Sequence, residues 1–209
     1  MYTNPLFLAV LAVFFLASCA TISPGRESVE SLLEKESFRQ SNLPVRTLRI
    51  AVVVSGLVDG EHVTSIFRDA SNLLEQQVGV RFAVTLYYEK AWETNSMQEI
   101  FSVLKVQQIE RSDLEHELFF GVPKSYLPSC LFPCKYTARE TQVGGILNGR
   151  YVALLHLSRK HIIHEVGHAF GVEHSPSGLM ASVPLSEYFS VADREMLLKN
   201  KWKKFPIWW

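Results

Sequence analysis

The stretch His164-Glu165-Val166-Gly167-His168-Ala169-Phe170-Gly171-Val172-Glu173-His174 gathers the residues best suited to chemistry. Three imidazoles with a carboxylate among them are the donor set of a zinc site that carries its own general base. His164 and His168 are four residues apart, so a helix sets them about 40° apart around its axis and one turn apart along it. Both rings then reach one ion at about 2.0–2.1 Å. Glu165 follows His164 directly and projects beside the ligands, where a carboxylate takes a proton from a water polarised by the ion. His174 cannot join on a straight helix, because it would lie about 15 Å along the axis from His164 and on another face. The chain must turn sharply after His168. Gly171 stands where the turn is needed, since glycine tolerates positive φ and ends helices readily. Given that break, His174 becomes the third ligand. Three protein ligands leave a fourth position open, the mark of a catalytic rather than a structural zinc. Five fixed positions make a chance match, in a chain of this length, on the order of one in ten thousand.

These residues resemble the metzincin signature HExxHxxGxxH, which HEVGHAFGVEH matches at every fixed position. Metzincins also place a methionine in a tight turn beneath the zinc. Ser177-Gly178-Leu179-Met180-Ala181 resembles that turn, and Ser175, directly after the third histidine, is similar to the matrixin branch. The resemblance implies a zinc metallopeptidase with one catalytic Zn2+, Glu165 as general base, Met180 in the Met-turn, and a protein or peptide substrate. It also implies a twisted sheet over the active-site helix, with an edge strand at about residues 142–147 to which substrate adds as a further strand. There are departures. The spacing from His174 to Met180 is shorter than in typical matrixins, and Ser182 means that the tyrosine some metzincins add as a ligand is absent. The specific motifs span about residues 151–181, and the topology about 46–204.

The elements that must position these residues alternate along the chain. Residues 48–55 (LRIAVVVS) are nearly all apolar, as in a strand buried on both faces. Residues 61–77 carry Val63, Ile66, Phe67, Ala70, Leu73 and Leu74 at helical spacing. Residues 80–87 read as a strand, 96–109 as a helix and 116–122 as a third strand. Asn148-Gly149 between residues 142–147 and 151–157 signals a tight hairpin. The metal-bearing helix is expected over about 158–170 and a last helix over about 191–201, with Ser190 as its cap. The fold class expected is α/β, in the α+β metzincin-like manner. It has a mostly parallel twisted sheet with an antiparallel edge strand, an active-site helix, a Met-turn and a C-terminal helix.

The chain has 209 residues, 47% hydrophobic and 20% charged, which fits one folded domain. Lys+Arg and Asp+Glu number 21 each, so no basic excess points to nucleic acid. Residues 6–17 (LFLAVLAVFFLA) form an apolar run too short to span a membrane and suited to a secretory signal. Leu16-Ala17-Ser18-Cys19 resembles a bacterial lipobox, although residues 1–4 lack the usual Lys or Arg. The alternative is an ordinary signal with a chance cysteine. The expected organisation is a signal peptide at 1–18, a lipid-anchored tether at 19–44 with a possible short helix, and the peptidase domain at 45–209. Lipidation of Cys19 would make the protein an exported lipoprotein of the outer membrane or cell surface, facing the periplasm or the outside. Cys130 and Cys134 then remain as a possible disulfide in an oxidising setting, with a metal site there as the minor alternative. His161 is a candidate to support the ligands or simply a surface or core histidine, whereas His62, His116 and His156 sit in no motif. Trp202, Trp208 and Trp209 read as packing of the C-terminal segment, and Lys201, Lys203 and Lys204 as a solvated patch. Beside a general endopeptidase stand two alternatives: a narrower peptidase such as an aminopeptidase or a processing enzyme for one partner, and a zinc-bearing lipoprotein that binds a protein or glycan with little turnover. The intact Glu165 weighs against the second alternative, because a structural site needs no base.

Overall fold

The computed structural model describes residues 43–89, 92, 94, 96–110, 115–124, 144–182 and 186–205. Cys19, Cys130, Cys134, Trp208, Trp209 and the segments 1–42 and 125–143 lie outside the described residues. The elements run in the order β1 (Arg46–Ser55), α1 (Gly60–Val78), β2 (Val80–Glu89), α2 (Met97–Glu110), β3 (Leu118–Val122), β4 (Gly144–Leu147), β5 (Tyr151–Leu154), α3 (Arg159–Ala169) and α4 (Val191–Asn200). The strands form one sheet in the order β2-β1-β3-β5-β4. β1 pairs parallel with β2 and β3, β3 pairs parallel with β5, and β4 alone runs antiparallel, against β5. The expected class, a mostly parallel sheet with an antiparallel edge, is the one the chain adopts.

β1 is apolar along its length because it is an inner strand covered on both faces. Alternation persists beneath that uniform look. Leu48, Ile50, Val52 and Val54 join the larger core with α1 and α3, while Ala51 and Val53 face α2 on the opposite side. β5 divides in the same way, with Val152 and Leu154 on the α3 side and Tyr151 and Ala153 on the α2 side. α1 returns the chain from β1 to the parallel β2. Its buried stripe of Val63, Phe67, Ala70, Leu74 and Val78 recurs every three or four residues. Asp59 caps its start through bonds to the Glu61 and His62 amides, and Gly79 ends it at φ 66°. Asn148 (φ 53°) and Gly149 (φ 62°) supply the two left-handed residues that join β4 to β5, as a two-residue hairpin turn of this handedness requires.

Candidate metal centre

α3 starts at Ser158, whose hydroxyl caps the His161 amide. It ends where the sequence requires the chain to double back. The Gly171 amide bonds the His168 carbonyl at 2.9 Å, and the Val172 amide bonds the Gly167 carbonyl at 3.0 Å. Gly171 itself has φ 85°. This paired reversal is a Schellman ending, and it depends on a residue that enters the left-handed region without strain. It lifts the chain off the helix axis, so His174 returns to face the residues it follows. One ligand nitrogen from each of His164, His168 and His174 lies within 4.8 Å of the others.

The protonation of two of these rings follows from their second nitrogen. His164 Nδ1 is 2.8 Å from the Leu179 carbonyl, and His168 Nδ1 is 2.7 Å from the Val172 carbonyl. A carbonyl only accepts, so both Nδ1 atoms carry the hydrogen and both neutral rings turn an unprotonated Nε2 to the centre. His164 Nε2 is 3.1 Å from His168 Nε2 and 3.3 Å from His174 Nε2. Donors held tetrahedrally about an ion at about 2.0–2.1 Å stand roughly 3.3–3.4 Å apart. Burial pushes the His164 pKa down to about 4 and lowers that of His168, which favours the neutral, ligating form. The carbonyl contacts are the orienting bonds that metal-binding histidines ordinarily make.

Glu165 is 4% exposed, and its Oε2 has no hydrogen-bond partner. Without a cation, burial holds its carboxyl up at about 8. A buried acid with an orphaned oxygen beside three converging imidazoles is a site that lacks positive charge. The three histidines therefore fit a zinc ion, and they are also the one group of this kind among the described residues.

Below the ligands lies the turn that holds Met180. The Ser175 amide bonds the Met180 carbonyl at 2.9 Å, the Leu179 amide bonds the Tyr188 carbonyl at 2.8 Å, and Met180 is fully buried. Its sulfur sits 2.5 Å from where a Cβ on Gly167 would be, so the glycine inside the helix makes room for it. Ser175 Oγ donates to Asp193 Oδ2 at 2.9 Å, which ties the residue after the third histidine to α4. Two backbone–side chain bonds from Gln77 hold the following loop, to the Glu187 carbonyl at 2.8 Å and from the Phe189 amide at 2.9 Å. Sequence patterning identified Gly171, Met180 and the ligands. Gln77 carries no local signal, because its partner is 110 residues away, and Asp193 is readable only as the residue three beyond the Ser190 cap, not as the partner of Ser175.

The ligands and Glu165 form one wall of a cleft of about 530 Å³ that reaches β4 and the start of α2. At the sheet edge, Gly144 and Gly145 keep it open. A Cβ on Gly144 would stand 2.9 Å from Glu165 Oε1, and one on Gly145 would stand 2.9 Å from Met97 Sδ. His161 also lines this cleft. His62 and His116 do not enter it, and Trp202 is an exposed side chain at the end of α4.

No family model matches the chain, and no curated protein matches it either. Among solved structures it shares the fold of archaemetzincin from Methanopyrus kandleri, with a TM-score of 0.52 at 20% identity over 74% of this chain and 96% of that one. The likeness establishes a metzincin-like fold. It also corrects the placement expected from the leader. The match takes in nearly the whole of the archaeal chain, so that neighbour consists of the matched unit with little besides it. No helix among the described residues is long and apolar enough to cross a membrane. On that match to the archaeal structure, the chain is not assigned to an outer membrane or cell surface as an anchored lipoprotein.

Proposed function

We propose that the chain is a zinc-dependent metallopeptidase, with His164, His168 and His174 holding the ion and Glu165 acting as general base. The observation that carries this reading is the convergence of three imidazoles, two of them turning lone-pair nitrogens fixed by carbonyls to the centre, beside a buried carboxylate with an unpaired oxygen. When bound, zinc supplies the Lewis acidity that polarises water and the peptide carbonyl.

The chain's own groups do the rest. Glu165 accepts a proton from the attacking water and delivers it to the leaving amine. Its Oε1 lies toward Gly144, where only hydrogen occupies the Cβ position, so a peptide running along the edge strand can approach it closely. β4 is the sheet's edge among the described residues, and an extended substrate adds to it by main-chain hydrogen bonds. The Met180 turn fixes the floor through the Leu179 carbonyl, which sets His164.

The test uses the full chain and its E165Q variant, with bound zinc and cleavage of a broad peptide library measured together. Stoichiometric zinc in both, with cleavage lost by at least about 100-fold in E165Q, is the expected result. A folded protein without zinc, or an E165Q variant with near-full activity, overturns the reading.

A further inference from the structure

His161 stands one turn before Glu165 on α3 and lines the same cleft. All of its side-chain hydrogen bonding runs through Nδ1, which is 2.6 Å from Ser158 Oγ and 2.9 Å from His156 Nδ1. Its Nε2 has no partner among the described residues and is not one of the sealed, unpaired buried atoms.

The placement of protons follows by accounting for each one. Ser158 Oγ accepts the backbone amide of His161, so its own proton needs an acceptor, and His161 Nδ1 is the atom within reach. A separation of 2.6 Å suits a hydroxyl donor. His156 Nδ1 faces the same His161 nitrogen at 2.9 Å, outside the three-histidine group that an ion would bridge, so one of these two nitrogens carries the hydrogen between the rings. An N–H donor on His161 Nδ1 would stand about 2.9 Å from the hydroxyl oxygen, whereas the contact is 2.6 Å. His161 Nδ1 is therefore the acceptor, its single lone pair taken by the hydroxyl with His156 Nδ1–H alongside, and the hydrogen of the neutral ring is on Nε2. Burial first, then repulsion from His156 and His164, keeps the ring neutral. The serine that caps the helix thus also fixes the tautomer of a ring three residues on.

We propose that His161 is a substrate-binding residue, its Nε2–H donating to a backbone carbonyl of the peptide one or two residues from the bond that is cut. The inference rests on the peptidase reading and names a contact within it. One helical turn moves about 5.4 Å along the axis. An extended peptide advances about 3.3 Å per residue. A donor one turn from Glu165 therefore meets a neighbouring peptide group rather than the reacting carbonyl. A neutral donor holds any residue type at that position, because it reads the main chain. Such a contact is made equally in the ground and transition states, so its loss raises KM more than it lowers kcat.

The experiment compares zinc-loaded full-chain wild type, H161F and H161Q on a cleaved peptide and on analogues in which each flanking amide carbonyl in turn is reduced to methylene. Phenylalanine keeps the ring without the donor, and glutamine restores an N–H. The expected result is a KM raised roughly 3–10-fold in H161F with kcat and zinc content little changed, and recovery in H161Q. One carbonyl deletion should cost wild type the same factor and cost H161F nothing further. Should H161F fail to fold, H161L, which also lacks the donor, takes its place in the deletion series. Wild-type cleavage with no H161F penalty, or a penalty equal for every analogue, overturns the contact and leaves the peptidase standing. Absence of zinc-dependent cleavage by wild type overturns the peptidase reading, and the contact with it.

Discussion

In the zinc-free protein, Glu165 is an acid without a counterion, and the cost of burying its carboxylate opposes folding at neutral pH. Burial raises its folded pKa from 4.5 to about 8. A raised acid leaves stability intact below the unfolded value, and that stability is lost as pH rises toward the folded one. Zinc-stripped wild type should therefore fall behind zinc-stripped E165Q in melting temperature between pH 5 and 8, and the gap should close below pH 4.5. Thermal melts in a chelating buffer across that range check it. A gap that stays constant with pH would mean the carboxyl is not strained in the empty site. The ligands and Glu165 were legible from sequence because their spacing within one helix and its turn determines their meeting. For His161 the sequence offered only a support for the ligands or a plain surface or core histidine, and the substrate contact proposed above is not readable there. Its proton depends on Ser158 and on His156, which lies before the helix and faces it only after the fold closes. The glycine at 144 was equally silent, since nothing local says that Glu165 approaches it.

At the scale of elements, three glycines distinguish crowding from backbone strain. A Cβ at Gly167 would meet Met180 Sδ at 2.5 Å inside a fully packed floor. G167A should cost about 1–3 kcal/mol, read from denaturant unfolding. Gly171 differs in kind. Its Cβ position is open, with Asn200 Nδ2 the nearest atom at 3.6 Å, but its φ is 85°. G171A should cost about 1–2 kcal/mol through backbone strain alone, and it should weaken zinc binding, because the reversal it destabilises delivers His174. G144A brings its Cβ to 3.1 Å from the Ala153 carbonyl on the paired strand, but its nearest neighbour is the site itself. It should push against Glu165 Oε1 and reduce kcat by an order of magnitude or more while zinc content stays stoichiometric, as steady-state kinetics with metal analysis would show. Element types were readable because their periods are strong, and the described boundaries fall within a few residues of those expected. Strand three starts at Leu118 rather than 116, and β5 ends at Leu154 rather than 157. Those ends are set by which residues find a partner strand, which no single-strand pattern contains.

The order of strands across the sheet belongs to the molecule as a whole, and periodicity does not contain it. β3 comes to lie between β1 and β5 only because helices on opposite faces return the chain to different sides of β1. Arg46, at the start of β1, then acquires a role its neighbours in sequence do not predict. It is 7% exposed, donates to the Lys201 and Lys203 carbonyls and to Glu117, and has its guanidinium 5.4 Å from the Phe170 ring and 5.3 Å from the Phe205 ring. One cation thereby joins the first strand, the segment before β3, the end of the metal-bearing helix and the chain beyond α4. Removing it leaves two carbonyls and a half-buried Glu117 without their donor. R46A should cost about 2–4 kcal/mol, less than for a fully buried pair because Glu117 retains contact with water. In a domain of this size that lowers the melting temperature by about 5–12 °C. Arg46 touches Phe170 but none of the ligands, so the clamp acts on the fold and not on the donor set. The rise in melting temperature on adding zinc should thus be the same in R46A and wild type, because linkage depends only on zinc affinity for the folded state. If the zinc increment shrinks with the loss of Arg46, the clamp reaches the metal centre through Phe170, and the first strand helps to hold the third ligand in place.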